Sequence, residues 1–151
     1  MIAVVQRVKS ASVLVDDKII GKIDQGYLIL LGVAKDDTEV DGQFLADKIS
    51  TFRIFPDGDK NMNLSIQDIE GSILVVSQFT LCGDWRKGRR PSFSSSAPPE
   101  KAEQLYLHFS KLLKSNNIPV KTGQFGAMMD VELVNDGPVT FIMDSKNKLN
   151  G

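Results

Sequence analysis

One histidine, His108, and one cysteine, Cys82, are all that 151 residues hold of either type. A lone cysteine excludes an intrachain disulfide, which fits a reducing compartment, and a cytoplasmic localisation is expected. No His/Cys cluster has metal-ligand spacing, so no metal is expected. His108 falls on a predicted helix, beside the apolar stripe, and reads as a surface or boundary residue. A Ser-His-Asp or Cys-His arrangement therefore lacks its base. The chain has neither a Gly-x-x-x-x-Gly-Lys loop nor a dinucleotide fingerprint, which disfavours nucleotide-driven and redox chemistry, and no cofactor is expected. No apolar run reaches the roughly 18 residues of a membrane span, so no membrane partner is expected. The segment Met1 to Arg7 lacks the basic region, long apolar stretch and cleavage site of a signal peptide. Net charge is −1. The chain is not a generally basic nucleic-acid binder, and any such contact needs a local patch.

What is present suits one domain spanning residues 1–151: the length can bury a sizeable core, and 42% hydrophobic with 25% charged residues is an ordinary globular balance. The first third reads as β structure. Ile2 to Val8 is a candidate strand. Val13 and Val15 alternate with polar neighbours, and Asp16-Asp17 is a turn into Lys18–Ile23. The run Tyr27 to Val33 suits a strand covered on both faces. Asp36, Asp37 and Thr38 are candidate helix caps, followed by an apolar face of Val40, Phe44, Leu45, Ile49 and Phe52. Pro56-Asp57-Gly58-Asp59 is turn chemistry. Ile73 to Val76 reads as a central strand. Pro98 or Pro99 opens a second helix with the stripe Ala102, Leu105, Tyr106, Phe109, Leu112 and Leu113, closed by Asn116-Asn117 and Pro119. Two last strands, Met128–Val134 and Val139–Met143, are joined by a tight Asp136-Gly137-Pro138 connection. The class is α+β: a mostly antiparallel, barrel-like sheet system with two main helices.

Hydroxyls, amides and backbone are left to carry chemistry. Ser77-Gln78-Phe79-Thr80 follows the central strand, at a strand end where a rigid support can position functional groups. Ser77, Thr80 and the Gln78 amide can hydrogen-bond a polar substrate or stabilise an oxyanion. The alternative is a strand edge whose hydroxyls are satisfied locally. Gly137-Pro138 is the second candidate. A glycine there leaves its carbonyl unshielded, and an X-Pro bond adopts cis at modest cost. The alternative is an ordinary turn. The third is the basic patch Arg86-Lys87-Gly88-Arg89-Arg90, or else a solvated loop.

Taken together these segments resemble a known family. Ala3 to Val8, Leu30 to Val33, Lys60 to Ser65, Val75 to Leu81, Arg86 to Phe93, Thr122 to Met129 and Val131 to Thr140 are similar, in order and at family spacing, to the D-aminoacyl-tRNA deacylases. Gly83 and Trp85 depart from the commonest form of their loop. The resemblance implies a homodimer with two active sites at the subunit interface, acting on the 3′ end of aminoacyl-tRNA. It implies hydrolysis of the ester of a D-amino acid or glycine. Ser77, Gln78, Phe79 and Thr80 match one family signature. Gly137 and Pro138 match the other, a Gly-cis-Pro pair inserted into the partner's pocket. Arg7 matches a position supporting that turn, and Phe125 and Met129 match pocket positions. Arg86, Lys87, Arg89 and Arg90 would then meet tRNA phosphates. Backbone N–H groups near Phe79 and Thr80, with help from the ribose 2′-hydroxyl, are one expected mechanism; Thr80 as a covalent nucleophile is the other. A non-catalytic RNA-binding accessory module is the competing class.

Overall fold

The computed structural model describes residues 1–59 and 61–148. Strand β1 (Ile2–Val15) turns at Asp16-Asp17 into β2 (Lys18–Ile23) and β3 (Gly26–Gly32). Both turn residues have positive φ, 50° and 62°. That backbone twist matches the twist of the flanking strands and closes a two-residue hairpin. β2 and β3 follow one another along a single edge of β1, since Val8 pairs with Gly26 and Ala11 with Ile23 in one register. Helix α1 (Glu39–Thr51), a β4–β5 hairpin (Arg53–Pro56 and Met62–Ser65) and β6 (Ser72–Ser77) come next. Helix α2 (Pro99–Ser115), β7 (Val120–Thr122) and β8 (Asp130–Asp144) complete the order, ending in a short 3-10 turn at Ser145–Asn147.

The sheet is mixed. β1 pairs antiparallel with β2, β3 and β8, whereas β6 runs parallel to both β3 and β7. It nearly closes into a barrel, because β2 returns to β7. A Cβ on Gly21 would lie 2.9 Å from the Thr122 carbonyl oxygen and 3.2 Å from Leu74 Cδ1, so the absent side chain is what lets the two strands approach. Alternation along the strands separates two cores. Tyr27, Ile29, Leu31, Ile73 and Val75 face the helices. Leu28, Leu74 and Val76 face the barrel interior with Val8, Ala11 and Val13. Along β1, Ala3 and Val5 point to the helices but Ala11 and Val13 point inside. This change of phase needs an irregular residue between them, and the β1–β8 ladder shifts register on either side of Val8.

The α2 stripe is as expected: Ala102, Leu105, Tyr106, Phe109 and Leu113 are buried, and Leu112 packs against them. Proline opens the helix at Pro98-Pro99, and Asn117, at φ 61°, closes it. Three expectations change. In α1, Val40 is 66% exposed while Gly42 and Ala46 are buried, so the apolar face is rotated from the one read in the sequence. The acidic pair does not cap that helix. Thr38 occupies the cap position and its N–H donates to the Asp41 carboxylate at 2.9 Å. Asp37 is instead fully buried, 2.6 Å from the Met1 ammonium, and accepts the Ala34 N–H at 2.7 Å. Finally, the last two strands are one. β8 stays paired with β1 on both sides of residues 136–139, so Asp136-Gly137-Pro138 reverses nothing and forms an excursion from a continuous strand.

Candidate active site

A cavity of about 730 Å³ opens where the parallel strands β3 and β6 end. That volume is in the range of small-molecule sites. Ser77, Gln78, Phe79 and Thr80 form one side, and Phe125 and Met129 form another. A smaller depression of about 440 Å³, beside Glu70 and Asn117, contains none of the candidate residues.

Ser77 is the last residue of β6, and the chain then winds into a single 3-10 turn, Phe79–Cys82. The Gln78 N–H extends the sheet ladder by donating to the Leu31 carbonyl at 2.8 Å. Phe79 and Thr80 are the first residues of the helical turn, so their N–H groups have no intrahelical acceptor, and both residues line the cavity. The Gln78 side-chain amide donates to the Thr80 hydroxyl. Thr80 Oγ1 therefore accepts within the chain and keeps its own proton to donate. His108 is not among the lining residues; it sits half-buried on α2, across from Gly42 of α1.

Lining residues that the sequence reading did not assign to the site include Phe93, Ser96, Ala97 and Met128. Phe93 packs edge-on against Phe79 with ring centroids 5.0 Å apart, and so joins the basic loop to the cavity. Met128 is 92% exposed, an unusual position for a large apolar side chain and one that local patterning cannot foretell. Cys82 lies behind this wall; burial, and then the Asp37 carboxylate, push its thiol pKa up, which disfavours the reactive thiolate.

The second candidate constellation is not in this cavity. Gly137 and Pro138 are absent from its lining, as is Arg7. They lie on β8, where the Gly137-Pro138 peptide is cis and Gly137 has φ 128°. Asn135 braces the excursion. Its Nδ2 donates to the Val139 carbonyl at 3.1 Å, and its Oδ1 accepts the Val139 N–H at 2.9 Å, replacing a missing backbone pair with a side-chain amide. Asn135 was legible only as part of the motif, not in this role. Arg7, with 9% exposure, enters from beneath: Nη1 donates to the Ile54 carbonyl at 2.6 Å and Nε to the Asp136 carbonyl at 3.1 Å. Its Nε is also 3.4 Å from the Asp136 carboxylate. The nearby Tyr27 phenol is held above its ordinary range by burial, against the opposing pull of Arg7.

The basic loop hangs from the cavity's edge. Asp84 and Ser92 close it by exchanging backbone hydrogen bonds at 2.7 and 2.9 Å. The Arg86 guanidinium forms a two-pronged pair with Asp84, both contacts 2.8 Å. Lys87, Arg89 and Arg90 are exposed, and among the described residues none of them is in an ion pair.

The chain matches a family model described as D-Tyr-tRNA(Tyr) deacylase over residues 4–144. A D-aminoacyl-tRNA deacylase of Thermosipho melanesiensis is 61% identical over 147 residues, covering 97% of this chain and 98% of the relative. One of Thermotoga petrophila is 57% identical over 145 residues, covering 96% and 97%. Among solved structures, a c-Myc DNA unwinding element binding protein superposes with TM-score 0.88 at 39% identity, over 95% of this chain and 98% of the other. A probable eukaryotic D-amino acid tRNA deacylase, at 18% identity and TM-score 0.81 over 94% and 97%, shares the fold. The site geometry thus sits in a chain that belongs, over residues 4–144, to the D-Tyr-tRNA(Tyr) deacylase family.

Proposed function

We propose that this protein hydrolyses the ester joining a D-amino acid, or glycine, to the 3′-terminal adenosine of tRNA. The observation that carries the reading is a cavity lined by Phe79 and Thr80, which open a 3-10 turn with N–H groups free of intrahelical acceptors, and by a Thr80 hydroxyl that accepts from Gln78, in a chain whose one histidine is elsewhere. An aminoacyl ester is already activated, so positioning and oxyanion stabilisation suffice. The Phe79 and Thr80 N–H groups meet the developing oxyanion, and the Thr80 hydroxyl, relieved of acceptor duty by Gln78, orients the ester or a water. The ribose 2′-hydroxyl assists. Among the described residues, the cavity lining holds no histidine, carboxylate or lysine to activate Thr80 as a nucleophile.

Chirality follows from a wall supplied by a second copy of the chain. The Gly137-Pro138 excursion does not line its own cavity, and β8, which carries it, has no strand on its outer edge among the described residues. Met128, Val134 and Ile142, at 92%, 51% and 77% exposure, supply apolar surface for such a homodimer. With the Gly137 and Pro138 carbonyls set opposite the α-carbon, an L side chain collides, while a D side chain or glycine does not. Lys87, Arg89 and Arg90 contact tRNA phosphates, with Arg86 bracing their loop. The whole of residues 1–151 acts as one domain, in the cytoplasm.

A second reading, a nucleic-acid-binding accessory module, draws on the printed name of the structural relative at 39% identity. Incubation with D-Tyr-tRNA, L-Tyr-tRNA and Gly-tRNA decides between them. Hydrolysis of the D and glycyl esters alone supports deacylation; binding without hydrolysis supports the module.

A further inference from the structure

We infer that Trp85 is a stacking platform for an unpaired base of the tRNA acceptor end, next to the nucleotide that carries the amino acid. The inference rests on the deacylation reading of the adjacent cavity. Trp85 is 81% exposed, yet its backbone is held. It follows Asp84 directly, whose N–H and carbonyl are fixed by Ser92, and whose carboxylate is clamped by the next residue, Arg86. An exposed apolar side chain alone means little. Here two further features give it a direction.

The first is location. Gly83 abuts the Phe93 ring, since a Cβ there would lie 3.0 Å from Phe93 Cε1, and Phe93 lines the cavity. Two residues of extended chain span about 7 Å, so Trp85 stands near the cavity mouth. The second is charge. Lys87, Arg89 and Arg90 share its seven-residue loop, exposed and without ion pairs among the described residues. Three uncompensated cations beside one exposed indole on a braced backbone suit a single-stranded nucleic acid, whose bases stack while its phosphates neutralise the loop. They suit an apolar protein partner poorly, because docking one would desolvate the charges. The tryptophan adds stacking affinity that any base can use, and the sequence-independent contact matches a substrate whose 3′ end is single-stranded.

Trp85 is the only tryptophan in the chain, so intrinsic fluorescence reports this position alone. The probe is an uncharged RNA minihelix with a single-stranded 3′ tail, compared with a blunt duplex of the same stem. The tailed RNA should quench Trp85 saturably and the blunt one should not. Trp85→Ala should weaken binding of the tailed RNA roughly tenfold, Trp85→Phe much less. In D-aminoacyl-tRNA hydrolysis, Trp85→Ala should raise KM by more than it lowers kcat. Unchanged fluorescence with tailed RNA, wild-type RNA affinity in Trp85→Ala, or loss of a dimer in that variant would each overturn the inference. Neither binding measurement needs turnover. Quenching without hydrolysis sinks the deacylase reading and keeps the platform, whereas hydrolysis without quenching does the reverse.

Discussion

Arg7 Nε donates to the Asp136 carbonyl at 3.1 Å, between the Gln6–Thr140 and Val8–Asn135 pairs, where β1 and β8 leave their ladder. The bond ties a buried cation on one strand to the base of the excursion on the other. A second prong from the same guanidinium holds the Ile54 carbonyl of β4. One side chain therefore links three elements at the root of the Gly137-Pro138 turn.

Arg7→Ala leaves these carbonyls without their donor, at a cost of about 1–3 kcal/mol for a buried unsatisfied acceptor. Arg7→Lys keeps the charge but cannot reproduce the fork. Urea unfolding should show both variants less stable, alanine more so, and both should lose D-aminoacyl-tRNA hydrolysis. Wild-type activity in Arg7→Lys would show that fork geometry is irrelevant.

Gly137→Ala should distort the turn. Its φ of 128° lies in a region L-residues avoid, and the added Cβ would meet Val139 Cγ2 at 2.7 Å and Arg7 Nη2 at 2.9 Å. A shift of an ångström in a substrate-facing group reduces rate by up to about a hundredfold. We expect kcat/KM for D-Tyr-tRNA to fall at least tenfold with the circular dichroism spectrum preserved. Unaltered kinetics would remove the turn from the site.

Thr80→Val removes the hydroxyl that Gln78 addresses and leaves both backbone N–H groups in place. Loss of one hydrogen bond to a neutral ester or water corresponds to about 0.5–1.5 kcal/mol, or roughly two- to tenfold in rate. Single-turnover hydrolysis should therefore slow by that factor and persist. Near-complete abolition with substrate binding intact would instead favour Thr80 as nucleophile.

Acid stability should depend on Asp41. Burial works to raise its pKa, but hydrogen bonds from the Ser145 hydroxyl at 2.7 Å, the Thr38 N–H at 2.9 Å and Lys146 outweigh it and hold the carboxyl below the usual range. A depressed folded pKa gives stability that is complete above the unfolded value of about 3.9 and is lost as pH falls below it. Asp41→Asn should be less stable at pH 7 and flatter between pH 5 and 2.5, read as urea midpoint against pH. Parallel curves for the two proteins would reject the assignment.

Much of this molecule is local chemistry and was legible as such. The Asp16-Asp17 hairpin, the α2 stripe from Ala102 to Leu113, its Pro99 start and the doubly covered β3 all follow from turn residues and periodicity acting over a few positions. Ser77 to Thr80 were correctly placed at a strand end for the same reason. Contacts between distant segments were not legible. Residues 130–144 contain a Gly-Pro that reads as a turn. Only pairing with β1, more than a hundred residues away, makes them one strand and turns Asn135–Thr140 into a braced excursion. Likewise Asp37 has the local features of a cap, and only the approach of Met1 and Lys146 makes it a buried ion-pair partner. The sequence by itself determined the two helices, the β1–β2 hairpin, β3 and β6, the family and the identity of the candidate groups, but not β4, β5, β7 or the unity of β8. Tertiary structure alone decided that Ser77–Thr80 share a cavity with Phe125 and Met129 while Gly137-Pro138 stands apart from it. The physical reason is that propensity and capping are short-range, whereas strand register is set by whichever distant partner best satisfies the backbone and buries the right face.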